Sequence, residues 1–152
     1  MDKAIWETPL SLDEINHRAK GTLSDLFDIQ FIEVGNSHLT ARMPITSKLF
    51  QPMQIMHGGA TALLAETVAS AAANYCIDQT SKICVGMELN INHIRPMSSG
   101  FVDAIATPLH LGSATQVWEI KIYNNEKKLV SASRLTVAIK RKTPKETKNL
   151  DF

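Results

Sequence analysis

A chain of 152 residues with 44% apolar and 20% charged side chains has the make-up of one globular domain, and disorder along its whole length is excluded. Sixteen basic against fifteen acidic residues leave a formal charge of +1, so no global field gathers nucleic acid or an anionic membrane, and neither is expected as a partner. The first residues lack the charged-then-apolar layout of a secretory signal, and Cys76 and Cys84 stand in no Cys-x-x-Cys pair. The expectation is a cytoplasmic protein with two buried free thiols.

In chain order, Ser11 to Glu14 forms a capping box, with Ser11 placed to accept from the third helical amide and Glu14 to reach back. A short helix follows to about Ala19, Gly21 breaks it, and a second turn covers Thr22 to Phe27. Ile29 to Val34 and His38 to Met43 then read as a hairpin across Gly35-Asn36. Thr46 to Met56 has no period and feeds His57-Gly58-Gly59. From Ala60 to Tyr75 the chain is rich in alanine and leucine and holds no breaker, which predicts one long helix. It is nearly apolar all round and so belongs inside. It also carries Glu66, Thr67, Ser70 and Asn74, too polar for a membrane span.

Everything after the helix alternates. Ile83, Val85, Met87, Leu89 and Ile91 are expected on one strand face, with Glu88 and Asn90 on the other. Phe101 to Leu109, Gln116 to Tyr123 and Leu129 to Ile139 repeat the period of two, joined by turns at Gly112-Ser113 and Asn124-Asn125. The fold class is α+β, an antiparallel sheet around one buried helix. A single domain covers residues 1–141, with a loose charged tail over 142–152. The helix face that the sheet leaves open needs cover, and a second copy could supply it.

Glu66 is the residue least suited to its surroundings. A carboxylate among methyl groups loses water from its charged form, which raises its pKa and suits a nucleophile or general base. Alternatively it pairs with Arg95 or Arg134, or reaches solvent. Ser70, one turn on, either supports that carboxylate or bonds the carbonyl four residues back. His57-Gly58-Gly59 puts free amides at a helix start, the apparatus of an oxyanion hole, or else is a plain glycine turn. His93 reads as a satisfied strand histidine or a site residue. Arg95 and the turn at His110 to Ser113 could hold a phosphate or lie on ordinary surface. Nothing resembles a metal-ligand spacing, a phosphate loop or a dinucleotide fingerprint, so no metal and no cofactor are expected.

Gln51-Pro52, Met56 to Ala60, Leu64 to Glu66, Gly86 to Pro96, Pro108 to Ser113 and Val117 to Ile120, in that order and spacing, resemble the hotdog-fold acyl-CoA thioesterases. The branch is that of the 4-hydroxybenzoyl-CoA, 1,4-dihydroxy-2-naphthoyl-CoA and enterobactin-pathway proofreading thioesterases. The resemblance runs from about Trp6 to Lys140. It implies a long helix wrapped by an antiparallel sheet, paired into a dimer and commonly a dimer of dimers, with sites built from both chains. It makes Glu66 the carboxylate that attacks the thioester or activates water, supported by Ser70. Gly58 of the other subunit donates its amide to the carbonyl oxygen, and Gln51 and His57 position the thioester. Gly86, then His93, Ile94, Arg95 and Pro96, then His110, Leu111, Gly112, Ser113, Ala114 and Thr115 match stretches that contact acyl-CoA.

One departure stands beside the expected acyl pocket: where near relatives carry Phe-Gly after the Gln-Pro pair, this chain has Met53-Gln54. The expected activity is hydrolysis of an acyl-CoA or acyl-carrier-protein thioester with an aromatic or bulky acyl group. The rival readings are a hotdog dehydratase or hydratase, and a non-catalytic acyl-CoA binding module.

Overall fold

The computed structural model describes residues 3–143. Helix α1 spans Leu12–Arg18, and the Ser11 hydroxyl accepts from the Glu14 amide at 3.5 Å, as its cap pattern predicts. Glu14 does not reach back. Its carboxylate takes the Arg18 guanidinium one turn on at 2.5 Å, because a full charge at that spacing outcompetes a neutral amide. Helix α2 (Leu23–Leu26) leads into the hairpin of β1 (Gln30–Val34) and β2 (Leu39–Pro44). A short 3-10 turn at Ser47–Leu49 precedes the long helix α3 (Gly58–Tyr75). Four strands follow: β3 (Lys82–His93), β4 (Phe101–Leu111), β5 (Thr115–Asn124) and β6 (Leu129–Arg141).

The strands form one six-stranded sheet in the order β1-β2-β4-β5-β6-β3, with every pair antiparallel. The sheet wraps α3, which touches β2, β3, β4, β5 and β6. Leu64, Ala65, Val68, Ala69, Ala72 and Ala73 of the helix are fully buried against Trp118, Ile120, Ile122, Leu135 and Val137. Alanines on the inner stripe let strands approach the helix axis closely, while Leu64 and Val68 fill the space between them. Among the described residues no helix is long and apolar enough to cross a membrane.

Two polar clamps fix how the helix end meets the sheet. The Asn74 side chain donates to the Cys84 carbonyl and accepts from the Cys84 amide at 2.9 Å, as a neighbouring strand would. Gln116, buried, donates to the Ala73 carbonyl and accepts from Trp118 Nε1 at 2.9 Å. Cys84 Sγ also donates to the Ala73 carbonyl. Burial pushes the Cys84 thiol up to about 11 and the Cys76 thiol up to about 12, and Cys76 is half-buried rather than buried.

After the helix, Asp78 accepts from the Thr80 amide and from the Thr80 and Ser81 hydroxyls, bonds that hold its carboxyl down at about 2. That turn sends β3 back along α3. The helix start therefore lies beside His93 and the helix end beside Cys84.

The even alternation expected along β3 fails. Its ladder with β6 runs Gly86↔Val137 and then Glu88↔Thr136, leaving Met87 as the extra residue of a bulge. One inserted residue exchanges the two faces. Upstream of it Cys84 and Gly86 face the helix, so Ile83 and Val85 point the other way. Downstream, Leu89 and His93 face inward, and Met87 is 64% exposed. The chain end departs from expectation too. Lys142, assigned to a loose tail, donates its amide to the Ser81 carbonyl and its Nζ to the Gln79 carbonyl. The rest of that tail from residue 144 lies outside the described residues.

Candidate active site

The helix begins two residues earlier than its alanine run, at Gly58, and its cap is a histidine. His57 is extended (φ −66°, ψ 137°), and its Nδ1 accepts the Gly59 amide at 2.7 Å. A ring nitrogen that accepts is unprotonated, so in the neutral imidazole the proton sits on Nε2. The Gly58 amide belongs to the first turn, whose N–H groups have no intrahelical acceptor and carry the positive end of the helix dipole. Gly58 is where the ring of His93 passes: a Cβ there would lie 2.6 Å from His93 Nε2.

Around that point is a cleft of about 270 Å³ lined by Gln51, Gly58, Thr61, His93, Arg95 and Pro96, with Ile94 also on its wall. Arg95 donates to the Leu129 carbonyl at 2.6 Å, which fixes its stem while leaving further N–H groups to the open side. His57 faces a second, apolar groove of about 440 Å³ formed with Leu23, Phe27, Phe50 and Leu63. Between Gln51 and this groove the chain turns through Met53-Gln54, and Gln54 adopts φ 61°, a left-handed conformation that glycine takes without strain. Gln54 thus stands where glycine would be free of strain, and Met53 projects at 70% exposure.

Glu66 sits two turns further along α3. It is half-buried in the single chain, not enclosed, and neither Arg95 nor Arg134 pairs with it. Ser70 Oγ donates to Glu66 Oε1 at 3.2 Å, so this serine supports the carboxylate instead of bonding the carbonyl one turn back. Across from it, Gly86 leaves room for the carboxylate: a Cβ there would meet Glu66 Oε1 at 2.4 Å. The bulge at Met87 is what turns Gly86 inward.

One chain thus divides the expected residues into two groups. Gln51, Gly58 and His93 to Pro96 surround the helix start. Glu66 and Ser70 stand two to three turns further along the helix, facing Gly86, which lies about 20 Å along β3 from His93. The turn carrying His110 to Thr115 goes with the second group, because Gln116 and Gly86 are both register partners of Val137, two strands apart. Gly112 closes that turn by donating to the Thr115 carbonyl at 3.0 Å.

Reading the sequence did not single out Thr61, which bridges Gly58 and His93, or Asn74, which completes a polar line with Glu66 and Ser70. The signal for Asn74 was present as the spacing 66, 70, 74. Thr61 carries no such signal, since a lone threonine in a first turn is common. Among the described residues no cluster of three or more His, Cys, Asp or Glu could hold a metal ion.

The arrangement puts a carboxylate midway along a helix and a free amide at its start, two groups of the kind that hydrolysis of an activated carbonyl can use. Comparison with known proteins agrees. Residues 53–131 match the model of the thioesterase superfamily. The chain is 40% identical over 135 residues to the 1,4-dihydroxy-2-naphthoyl-CoA hydrolase of Escherichia coli, covering 89% of this chain and 98% of the relative. To the proofreading thioesterase EntH of Cronobacter turicensis it is 37% identical over 135 residues, covering 89% and 98%. A mutant thioesterase from Pseudomonas aeruginosa superposes with a TM-score of 0.90 at 37% identity, covering 91% of this chain and all of the other. A thioesterase from Haemophilus influenzae gives 0.87 at 36%, covering 90% and 95%. This chain belongs to the thioesterase superfamily and is a hotdog-fold thioester hydrolase.

Proposed function

We propose that the protein hydrolyses acyl-CoA thioesters, with an aromatic or similarly bulky acyl group, at a site completed by a second copy of the chain. The observation that carries this is the Glu66 carboxylate, which has no cationic partner among the described residues and is held by Ser70 against Gly86. Eight helical residues, about 12 Å of rise, separate it from the Gly58 amide. An attacker about 3–3.5 Å from a carbonyl carbon and a donor about 3 Å from its oxygen cannot be that far apart. The carboxylate is also turned toward Ser70, away from Gly58, which supports a partner's Gly58 as the donor. β3, twelve residues long and an edge of the sheet, offers a second copy the outward backbone groups that Asn74 does not already take at Cys84.

In this reading Glu66 attacks the thioester carbonyl or activates water, while the partner's amide takes the developing charge on the oxygen. Gln51 and His57 position the thioester. His93, Ile94, Arg95 and Pro96 of one chain, with Gly86 and His110 to Thr115, hold the CoA portion, Arg95 through phosphate. The apolar groove beside His57 takes the acyl group. The pairing of two dimers and a reducing, cytoplasmic setting belong to the same proposal, the latter supported by the two free cysteines.

The test is release of free thiol from a panel of aromatic, branched and straight-chain acyl-CoA and acyl-carrier-protein thioesters, with an enoyl-CoA included. Fastest turnover is expected on aromatic acyl-CoA. A hydroxyacyl product from the enoyl-CoA would instead mark a hydratase, and tight binding without thiol release would mark a binding module.

Gly86 gives a sharper check. Its substitution Gly86→Ala places a Cβ on Glu66 Oε1, and because that atom ends a flexible side chain, the carboxylate moves while the fold stays. Turnover should fall by about a hundredfold, the cost of misplacing a reacting group by an ångström. The melting temperature should stay close to that of the parent. Parental turnover in this variant would show that the carboxylate has no fixed working position.

A further inference from the structure

His93 is held by a hydrogen-bond chain whose direction can be read. Thr61, buried, places Oγ1 2.7 Å from the Gly58 carbonyl and 3.2 Å from His93 Nδ1. A carbonyl oxygen only accepts, so the single hydroxyl hydrogen of Thr61 goes to Gly58. Its oxygen then faces His93 Nδ1 with lone pairs alone, and Nδ1 must donate. A neutral imidazole that donates through Nδ1 carries no proton on Nε2. Nε2 is the atom closest to Gly58, on the wall of the cleft shared with Gln51 and Arg95.

We infer that Thr61 is a positioning residue that fixes the Nδ1–H tautomer of His93, so that the cleft presents an acceptor at Nε2 beside the donating amide of Gly58. This rests on the thioester reading above and deepens it. His93 is exposed in the single chain, so Nε2 is open to solvent, and an N–H or O–H donor on the thiol arm of a thioester bound with its carbonyl oxygen at that amide replaces the water there. The arm of a pantetheine-type thiol carries amide N–H groups, whereas a plain alkyl thiol carries none. The device therefore selects thioesters of amide-bearing thiols over simple alkyl thioesters, and does so through binding, not through the chemical step.

The experiment compares the parent with Thr61→Val, which keeps the shape and removes the hydroxyl, and with Thr61→Ser, which restores it. Nitrogen-15 NMR of histidine-labelled protein at neutral pH should show His93 protonated at Nδ1 and bare at Nε2 in the parent and in Thr61→Ser. That state should be lost in Thr61→Val. In kinetics with the benzoyl thioesters of N-acetylcysteamine and of butanethiol, Thr61→Val should lose about five- to tenfold more kcat/KM on the first than on the second. The loss should appear in KM, the size expected for one neutral hydrogen bond, and Thr61→Ser should recover the parental ratio. A proton on Nε2 in the parent, or equal losses on the two substrates, would overturn the inference. If the parent released thiol from neither, the functional reading would fall. The inference would then be decided by the NMR state and by a titration with the thioether analogue of the first substrate, whose affinity should drop five- to tenfold in Thr61→Val.

Discussion

Replacing Glu66 by Gln should reduce thioester turnover by about 10²–10⁴-fold, the range for removing a positioned base, while leaving KM close to the parent's. The exchange preserves size and helix propensity, and the Ser70 hydroxyl still finds an oxygen at that position. What disappears is the negative charge that either attacks the carbonyl or takes a proton from water. Because Glu66 forms no ion pair among the described residues, its loss strands no cation there, and thermal unfolding should be nearly unchanged. A stable variant that releases thiol at the parental rate would remove Glu66 from the chemistry.

The second large effect concerns a backbone atom. Proline fits the first position of a helix, and it also restricts the preceding residue to an extended conformation, which His57 already has at φ −66° and ψ 137°. The substitution Gly58→Pro thus removes the N–H that the proposal places on the carbonyl oxygen while the helix start survives. It also pushes the His93 ring, 2.6 Å from any Cβ at this position. Gly58→Ala makes the same push and keeps the N–H, so the difference between the two variants isolates the amide. Gly58→Pro should be slower than Gly58→Ala by about 10²–10³-fold in kcat, the cost of one oxyanion donor.

Mixing the two dead chains settles where the site lies. Dimers of one Glu66→Gln chain and one Gly58→Pro chain contain one intact cross-chain site. With random pairing, roughly a quarter of the parental activity should return, since half of the dimers are mixed and each keeps one of its two sites. If each site belonged to one chain, mixing would restore nothing.

The order of elements was legible in the sequence because the signals are local. A hydroxyl before Leu12, sixteen residues without a breaker from Ala60, and apolar residues every second position after Lys82 report on neighbours a few bonds away. The motif around His57 to Glu66 was legible for the same reason, since its spacing is set by one helix. Alternation failed along β3 because a bulge is decided by which residues pair across the ladder, and the pairing of Gly86 with Val137 joins positions far apart in the chain. The cap at His57 was missed because imidazole is not among the usual capping groups, and it accepts only when the ring is turned to its own backbone. Thr61 and His93 are thirty-two residues apart, and only the return of β3 along the helix makes them partners.

Local periodicity and capping thus specified the helix, the strands and the carboxylate on the helix. Tertiary structure decided which strand faces that carboxylate, and that a glycine and a bulge make room for it. The physical reason is that helix rise and strand period are properties of the backbone itself, whereas strand order and register follow from burying one apolar face against residues distant in sequence.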